Sequence, residues 1–457
     1  MKNYDIVVIG AGPGGYVAAI KAAQLGAKVA IIEKKYIGGV CLNIGCIPTK
    51  ALIKSARVYQ DILNSSSFGI DLDQKSVKVN LSHVIKRKDN IVKRLTGGVG
   101  MLLKKNKVDI YNGEAKVKDK NTVEVNGEVL KTNNLIIATG ARPVIPPIPG
   151  VEEGIKSGYI LTSKEALSLD KVPENLVVVG GGVIGIEFAT IYASFGSNVT
   201  VIEMADNILV NIDDEVRKTY LKSLKKQNIN IITKGAVTKV DKNKVIYSKD
   251  GKDHEVVADK VLMSVGMRPN SEGFEHLGIE ITRQGIITNE KLETTVKGVY
   301  AIGDVNGKMM LAHVASAEGI IAVENIMGKE SKIDYKKVPS GIYGTPEIAN
   351  IGYTEQEAKA EGIDYKVSKF PLLGNGKSLA EGEADGFVKI IANKKYNEVI
   401  GVHILAPHAT DLIAEAAVLM ELEGTAYELA NAIHPHPTLS ETLMEAAHGI
   451  IDKPIHI

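Results

Sequence analysis

Short apolar runs closed by glycine punctuate this chain, and one arrangement of them occurs twice. Ile6-Val7-Val8-Ile9 lacks the alternation of a half-exposed strand and predicts a strand buried on both faces. Gly10-Ala11-Gly12-Pro13-Gly14-Gly15 follows at once. A helical pattern then runs from Tyr16 to Leu25, Gly26 stops it, and Lys28-Val29-Ala30-Ile31-Ile32-Glu33 makes a second strand. The same order returns with Val177-Val178-Val179, Gly180-Gly181-Gly182-Val183-Ile184-Gly185, a helix from Ile186 to Phe195, Gly196, and Asn198-Val199-Thr200-Val201-Ile202-Glu203. In both copies an acid lies 23 residues after the first glycine. Further strands are predicted at Val261–Val265 and Val299–Ile302. From about Val338 the texture changes: short strands at Ala349–Tyr353 and Val388–Ile391 alternate with helices at Asp411–Glu423 and Ser440–Ile450.

A lone G-x-G-x-x-G is weak evidence of anything. Strand, glycine turn, helix, strand and terminal acid in this order, twice, predict two dinucleotide sites. The first glycine (Gly10, Gly180) permits the tight turn. The second (Gly12, Gly182) lets a pyrophosphate approach the backbone, and the third (Gly15, Gly185) lets helix and strand pack closely. Gly14 lies inside the first turn. The helix N-terminus offers free N–H groups and a positive dipole end to the phosphates. Glu33 and Glu203 can accept from ribose hydroxyls, and an acid rather than an arginine at 203 favours NAD over NADP. The fold class is therefore α/β, with two Rossmann-like dinucleotide-binding domains and a C-terminal α+β domain. Boundaries fall near Pro149, Pro269 and Val338, giving units 1–149, 150–268, 269–337 and 338–457.

Composition narrows the functional classes. At 457 residues the chain exceeds one ordinary core. Its 55 basic and 54 acidic residues nearly cancel, which removes any bulk electrostatic case for nucleic acid or an anionic membrane. No apolar stretch is long enough to span a bilayer. Two cysteines are too few for a secreted disulfide framework, and a strand begins by Tyr4, so the cytoplasm is the expected location. Those cysteines sit together, in Cys41-Leu42-Asn43-Ile44-Gly45-Cys46. A straight helix would hold residues five apart at roughly 8 to 9 Å between Cα atoms, whereas a disulfide needs about 4.4 to 6.8 Å. A bond between them requires a bend, for which Gly45 and Pro48 are available. So small a loop is a poor structural staple and a better redox device; two reduced, buried thiols are the alternative. A flavin can exchange electrons with both a dithiol and a nicotinamide, so it is a sensible bridge between them. Two dinucleotide sites alone would also suit flavin monooxygenases or transhydrogenases; the cysteine pair separates these options.

The segment Gly38-Gly39-Val40-Cys41-Leu42-Asn43-Ile44-Gly45-Cys46-Ile47-Pro48-Thr49-Lys50 resembles the redox-active segment of the FAD-dependent pyridine nucleotide–disulfide oxidoreductases. The resemblance continues through Ala138-Thr139-Gly140, Gly303-Asp304 and Leu311-Ala312-His313 to His434-Pro435-His436-Pro437-Thr438-Leu439-Ser440-Glu441, and so covers essentially the whole chain. Within the family it is similar to the branch that oxidises protein-bound dihydrolipoamide in 2-oxo acid dehydrogenase and glycine-cleavage complexes. The run Gly401 to Ile413 supports that branch. Sibling reductases with a second redox group at the C-terminus would need a third cysteine, and NADPH-linked siblings place cations where Glu203 stands.

The resemblance implies FAD at the first site and NAD at the second. It implies that Cys41 is the interchange thiol and that Cys46 faces the flavin as a thiolate. His436 would be the base that deprotonates the incoming dithiol, a task imidazole suits because it titrates near neutrality. Glu441 would orient that ring, both coming from the second subunit of a homodimer. Lys50 and Glu187 would pair beside the flavin, with Asp304 on its ribityl chain. Lys34, Gly39, Gly113, Ala115, Thr139, Gly140, Met310, Leu311, Ala312 and His313 would line FAD, and Val237 and Gly266 would line NAD. Lipoyl domains of the parent complexes would be partners. The residues also admit plainer readings. Thr438-Leu439-Ser440-Glu441 fits a capping box with Thr438 as N-cap, Lys50 and Glu187 could be exposed helix charges, and His434 competes as a base. Another disulfide reductase or a non-catalytic nucleotide-binding scaffold are the rival functions. Two departures from the family stand out: Val40 in place of a threonine, and Met267 in place of an arginine.

Overall fold

The computed structural model describes residues 1–457, and it resolves the two repeated units into two separate sheets, each built on parallel strands. In the first, β1 (Lys2–Ile9) lies between β2 (Val29–Glu33) and a long strand, Glu128–Ile137, all parallel. Asp109–Asn112 extends the sheet beyond β2. An antiparallel pair (Lys116–Asp119, Thr122–Val125) and the distant strand Val299–Ala301 both join Glu128–Ile137. The apolar run of β1 is divided between two cores. Ile6 and Val8 face one, and Tyr4, Val7 and Ile9 face the other, as expected of a strand with no exposed face.

The second sheet orders Ile229–Ile232, Asn198–Ile202, Asn175–Val179, Lys260–Met263 and Ile160–Leu161, again all parallel. The C-terminal sheet is antiparallel, in the order Ser340–Ile342, Glu347–Gly352, Val399–Ala406, Phe387–Asn393, Tyr365–Pro371, with helices Ala409–Glu421 and Glu441–Ile451 on it. No helix is long and apolar enough to cross a membrane.

The fingerprint helices begin earlier than their apolar periodicity predicts. α1 runs Pro13–Gln24, and its counterpart in the second unit runs Val183–Ser194. The glycine turn itself supplies the first helical turn. Gly12 and Gly182 are the N-caps, both extended (φ −69°, ψ −178° and φ −75°, ψ 179°), and Pro13 suits a first position whose N–H is unpaired anyway. Gly14, which has Ile184 as its counterpart, serves packing. A Cβ there would lie 2.9 Å from the Ala315 carbonyl oxygen, because α1 packs on the helix Ala312–Ile326. Ile184, by contrast, is exposed.

The C-terminal helices are displaced by one or two residues from their predicted spans, at Ala409–Glu421 and Glu441–Ile451. The capping box predicted at Thr438 forms only by half. The Thr438 N–H donates to Glu441 Oε2 at 2.8 Å, but the Thr438 hydroxyl donates to the Pro435 carbonyl and the helix starts three residues later.

The second unit and the C-terminal sheet meet at a buried charge cluster. Lys389, 1 % exposed, places its ammonium 3.1 and 3.2 Å from the two oxygens of Asp213, 2.6 Å from Glu355 and 3.4 Å from Glu215. Asp213 also caps the helix Asp214–Lys226 through the Glu215 N–H. Removing one partner of a buried pair strands the other, at a cost of about 3 to 5 kcal/mol. Asp213→Ala should therefore lower the thermal unfolding midpoint by several degrees, measured by calorimetry; an unchanged midpoint would show that the cluster contributes nothing.

Candidate active site

The two glycine turns open onto one cleft of 2250 Å³. In each unit the third glycine lies beneath the turn. A Cβ at Gly15 would fall 1.9 Å from the Gly10 carbonyl oxygen, and one at Gly185 would fall 2.2 Å from that of Gly180. The second glycine instead faces space: nothing lies within 4 Å of a Cβ at Gly182, and only Gly39 Cα, at 3.9 Å, near one at Gly12. That gap, at the mouth of a helix N-terminus, fits a pyrophosphate. The acids are held alike. Glu33 accepts from the Ala11 N–H (2.8 Å) and from the Lys35 and Tyr36 N–H groups; Glu203 accepts from the Gly181 (2.6 Å) and Ala205 (2.7 Å) N–H groups. Each carboxylate keeps lone pairs for ribose hydroxyls. The residues present therefore fit two dinucleotides. Gly10, Lys34, Gly113, Ala115, Thr139 and Gly140 line the cleft on the first side, and Gly180, Val237 and Gly266 on the second.

The cysteine pair stands between them. Helix α2 (Gly39–Ile44) starts directly on the first turn, since a Cβ at Gly39 would lie 2.5 Å from Gly12 Cα. It ends at Gly45 (φ −136°, ψ −115°), and α3 (Cys46–Leu63) begins in a new direction. Gly45 alone makes the break; Pro48 sits in the first turn of α3, where its missing N–H costs nothing. A Cβ at Gly45 would meet the Val40 carbonyl at 3.0 Å and Cys41 Cα at 3.2 Å, so the break folds Cys41 back over it. Asn43 fixes the loop by donating to the Ile37 (3.0 Å) and Gly39 (2.8 Å) carbonyls.

The two cysteine side chains are half-buried and within hydrogen-bonding reach of one another. The hydrogen bond to Cys46, together with burial, pushes the Cys41 thiol up. The same bond, with Lys50 nearby and against the opposing effect of burial, holds Cys46 below the usual thiol range. Of the two, Cys46 is therefore the readier to ionise, and it stands at a helix N-terminus that also favours a thiolate.

One turn further along α3, Lys50 Nζ is 2.9 Å from both oxygens of the buried Glu187, on the second unit's fingerprint helix. Neither is an exposed helix charge. Asp304 lies in the same cleft, in the turn after Val299–Ala301. Burial and the neighbouring Glu318 push it up to about 6. Glu318, a buried acid on a mostly apolar helix, accepts from the Gly303 N–H (2.6 Å), the Asn306 amide (2.9 Å) and the Tyr335 hydroxyl (2.6 Å). It thereby fixes the Gly303–Asp304 turn. Met310, Leu311, Ala312 and His313 complete this wall, with the His313 ring 2.8 Å from the Pro339 carbonyl.

His436 and Glu441 are bonded to each other, Nδ1 to Oε1 at 2.9 Å, but neither lines the cleft of their own chain. The His436 side chain is 79 % exposed. Burial resists ionisation of Glu441, yet the Thr438 N–H and the His436 ring outweigh it and hold the carboxyl below its usual range. His434 is engaged differently, 2.7 Å from Glu415 and 2.8 Å from the Ala432 carbonyl, with its side chain buried. Tyr343, which lines the cleft, and Asn43 and Glu318, which brace its walls from outside it, are residues that sequence reasoning passes over. Glu318 carried a signal, a charge amid apolar helix positions; Tyr343 carried none.

The family described as pyridine nucleotide-disulphide oxidoreductase matches residues 4–319, and its dimerisation domain matches residues 338–447. A dihydrolipoyl dehydrogenase of Acholeplasma laidlawii is 57 % identical over 71 % of this chain and 97 % of its own. One of Geobacillus stearothermophilus is 45 % identical over 99 % of this chain and 97 % of its own. Among solved structures, the Cu(II) complex of the HOCl-induced flavoprotein disulfide reductase RclA from Escherichia coli aligns with a TM-score of 0.87 at 27 % identity, over 98 % of this chain and 100 % of that one.

Asp304 generates a pH prediction. Its pKa rises from 3.8 to about 6 on folding, so the folded state binds the proton more tightly than the unfolded one. Its contribution to stability is best at low pH, falls as pH rises through that window, and stays unfavourable above it. In cofactor-free protein, Asp304→Asn should raise the thermal midpoint at pH 8 and flatten its decline between pH about 4 and 6. Superimposable melting profiles for variant and parent would contradict this.

Proposed function

Because the chain belongs to the pyridine nucleotide-disulphide oxidoreductases, we infer from its likeness to the dihydrolipoyl dehydrogenases that it oxidises dihydrolipoamide to lipoamide and reduces NAD+ to NADH, with FAD between them. The observation that carries the reading is the Cys41–Cys46 pair, set beside the Lys50–Glu187 ion pair in a cleft onto which both glycine turns open.

That placement supports the following residue roles. The matched dimerisation domain supports a homodimer. His436 projects from its own chain, so it serves the cleft of the other, as His436 of the partner subunit. Its Nδ1 is engaged by Glu441, leaving Nε2 to take the proton of a substrate thiol. In the oxidised enzyme, with Cys41 and Cys46 joined as a disulfide, the resulting thiolate attacks the Cys41 sulfur and Cys46 leaves as the thiolate. The second substrate thiol then displaces Cys41, closing the lipoamide ring and leaving an enzyme dithiol that carries two electrons. Lys50 stabilises the charge on Cys46. FAD, when bound, supplies two-electron exchange between this dithiol and NAD+. Glu33, Asp304 and the first turn hold FAD; Glu203 and the second turn hold NAD.

We place the unit boundaries near residues 149, 268 and 337, the segment 269–337 completing the FAD site. The substrate is carried by lipoyl domains of 2-oxo acid dehydrogenase or glycine-cleavage complexes, and the enzyme works in the cytoplasm.

Two substitutions test the roles. Cys46→Ser should retain FAD, read as bound yellow colour, and lose lipoamide turnover; full anaerobic turnover would remove Cys46 from the mechanism. His436→Gln should slow dihydrolipoamide oxidation by about 10²- to 10⁴-fold, the usual contribution of a general base, and an unchanged rate would discard that role. Glutathione, coenzyme A and cystine disulfides, assayed in parallel, should all be poorer substrates than lipoamide.

A further inference from the structure

The Lys50 ammonium is enclosed from two sides. Glu187 grips it with both oxygens at 2.9 Å, and the Tyr343 ring centroid lies 4.3 Å from the same nitrogen. Tyr343 touches the other member of the pair as well, since its backbone N–H donates to Glu187 Oε1 at 3.1 Å. The position of Tyr343 is itself fixed by its neighbour. The Gly344 carbonyl accepts from Arg57 at 2.8 Å, and Gly344 packs so tightly that a Cβ there would lie 2.0 Å from the buried Tyr220 hydroxyl. Arg57 stands two turns beyond Lys50 on α3 and also bonds Glu347 at 2.8 Å, whose other oxygen accepts from the Thr410 hydroxyl and N–H. The C-terminal sheet thus reaches back to the redox helix at two successive residues.

We propose that Tyr343 is a positioning residue for the dithiol: its ring confines the Lys50 ammonium against Glu187 and so sets the place from which that positive charge acts on Cys46. The inference deepens the dithiol reading given under Proposed function and rests on it. A lysine has a flexible four-carbon stem and a strongly hydrated head. Without a wall on its open side the head moves toward water, where its field is screened. An aromatic face supplies that wall and attracts the cation through its quadrupole. The ring suffices, so phenylalanine should replace it and an aliphatic residue should not. The charged groups that act on Cys46 are Cys41, Lys50 and Glu187, with Arg57 behind the pair on α3.

The test is a pH titration of Cys46 in a Cys41→Ser holoenzyme, followed by the long-wavelength absorbance that a thiolate gives beside a flavin. Tyr343→Leu should raise the midpoint by about half to one pH unit, the scale of a weakened single charge contact. Tyr343→Phe should leave it in place. Lys50→Met should raise it too, and Tyr343→Leu added to Lys50→Met should do nothing more. Tyr343→Met serves the same comparison if the leucine variant does not fold. A Tyr343→Leu midpoint equal to the parent's, or a shift that persists in the Lys50→Met background, overturns the proposal while leaving the dithiol reading intact. A parent without any thiolate absorbance overturns both.

Discussion

The break in the chain at Gly45 is the constraint on which the active site depends. Two cysteines five residues apart on a straight helix would stand too far apart to exchange electrons as a pair. Ending one helix at residue 44 and starting another at 46 folds them together, and a side chain at Gly45 would press on the Val40 carbonyl and on Cys41. The same break makes Cys46 the first residue of an 18-residue helix. One local turn therefore does two things: it brings sulfur to sulfur, and it places Cys46 where the free N–H groups of a helix start and the nearby Lys50 favour a thiolate.

Everything around the pair extends that arrangement. Gly39 seats α2 on the first glycine turn, so the redox loop cannot shift without moving the backbone that cradles the dinucleotide. Glu187 belongs to the helix that opens the second dinucleotide turn, so the ion pair with Lys50 ties the two nucleotide units through the dithiol. The Glu318 network holds the remaining wall from a helix that packs against α1. Three stretches of sequence, around residues 40, 187 and 304, thus become one surface.

Much of this was legible in the sequence, for identifiable reasons. Strand, glycine turn, helix and acid form a local pattern, so both nucleotide units could be read from order and spacing alone. The third glycines were read correctly as packing elements because a helix crossing over its own strand leaves no choice. The helix starts were misplaced because apolar periodicity is silent over glycine and proline, where the first turn is made by backbone alone. Pro48 was credited with a bend that Gly45 makes by itself, since a proline in a first turn continues a helix as easily as it ends one. Thr438 was expected to cap a helix it does not touch with its hydroxyl. Tyr343 was invisible because its role exists only across three elements that the sequence holds far apart.

The buried Lys389 cluster has a further consequence. It spans the seam between the second nucleotide unit and the C-terminal sheet, and its members come from both sides. The Lys389 ammonium and the Asp213 carboxylate each lie out of water, so parting the seam would have to break an ion pair formed between two buried charges. The cluster therefore resists separation of the second nucleotide unit from the C-terminal sheet.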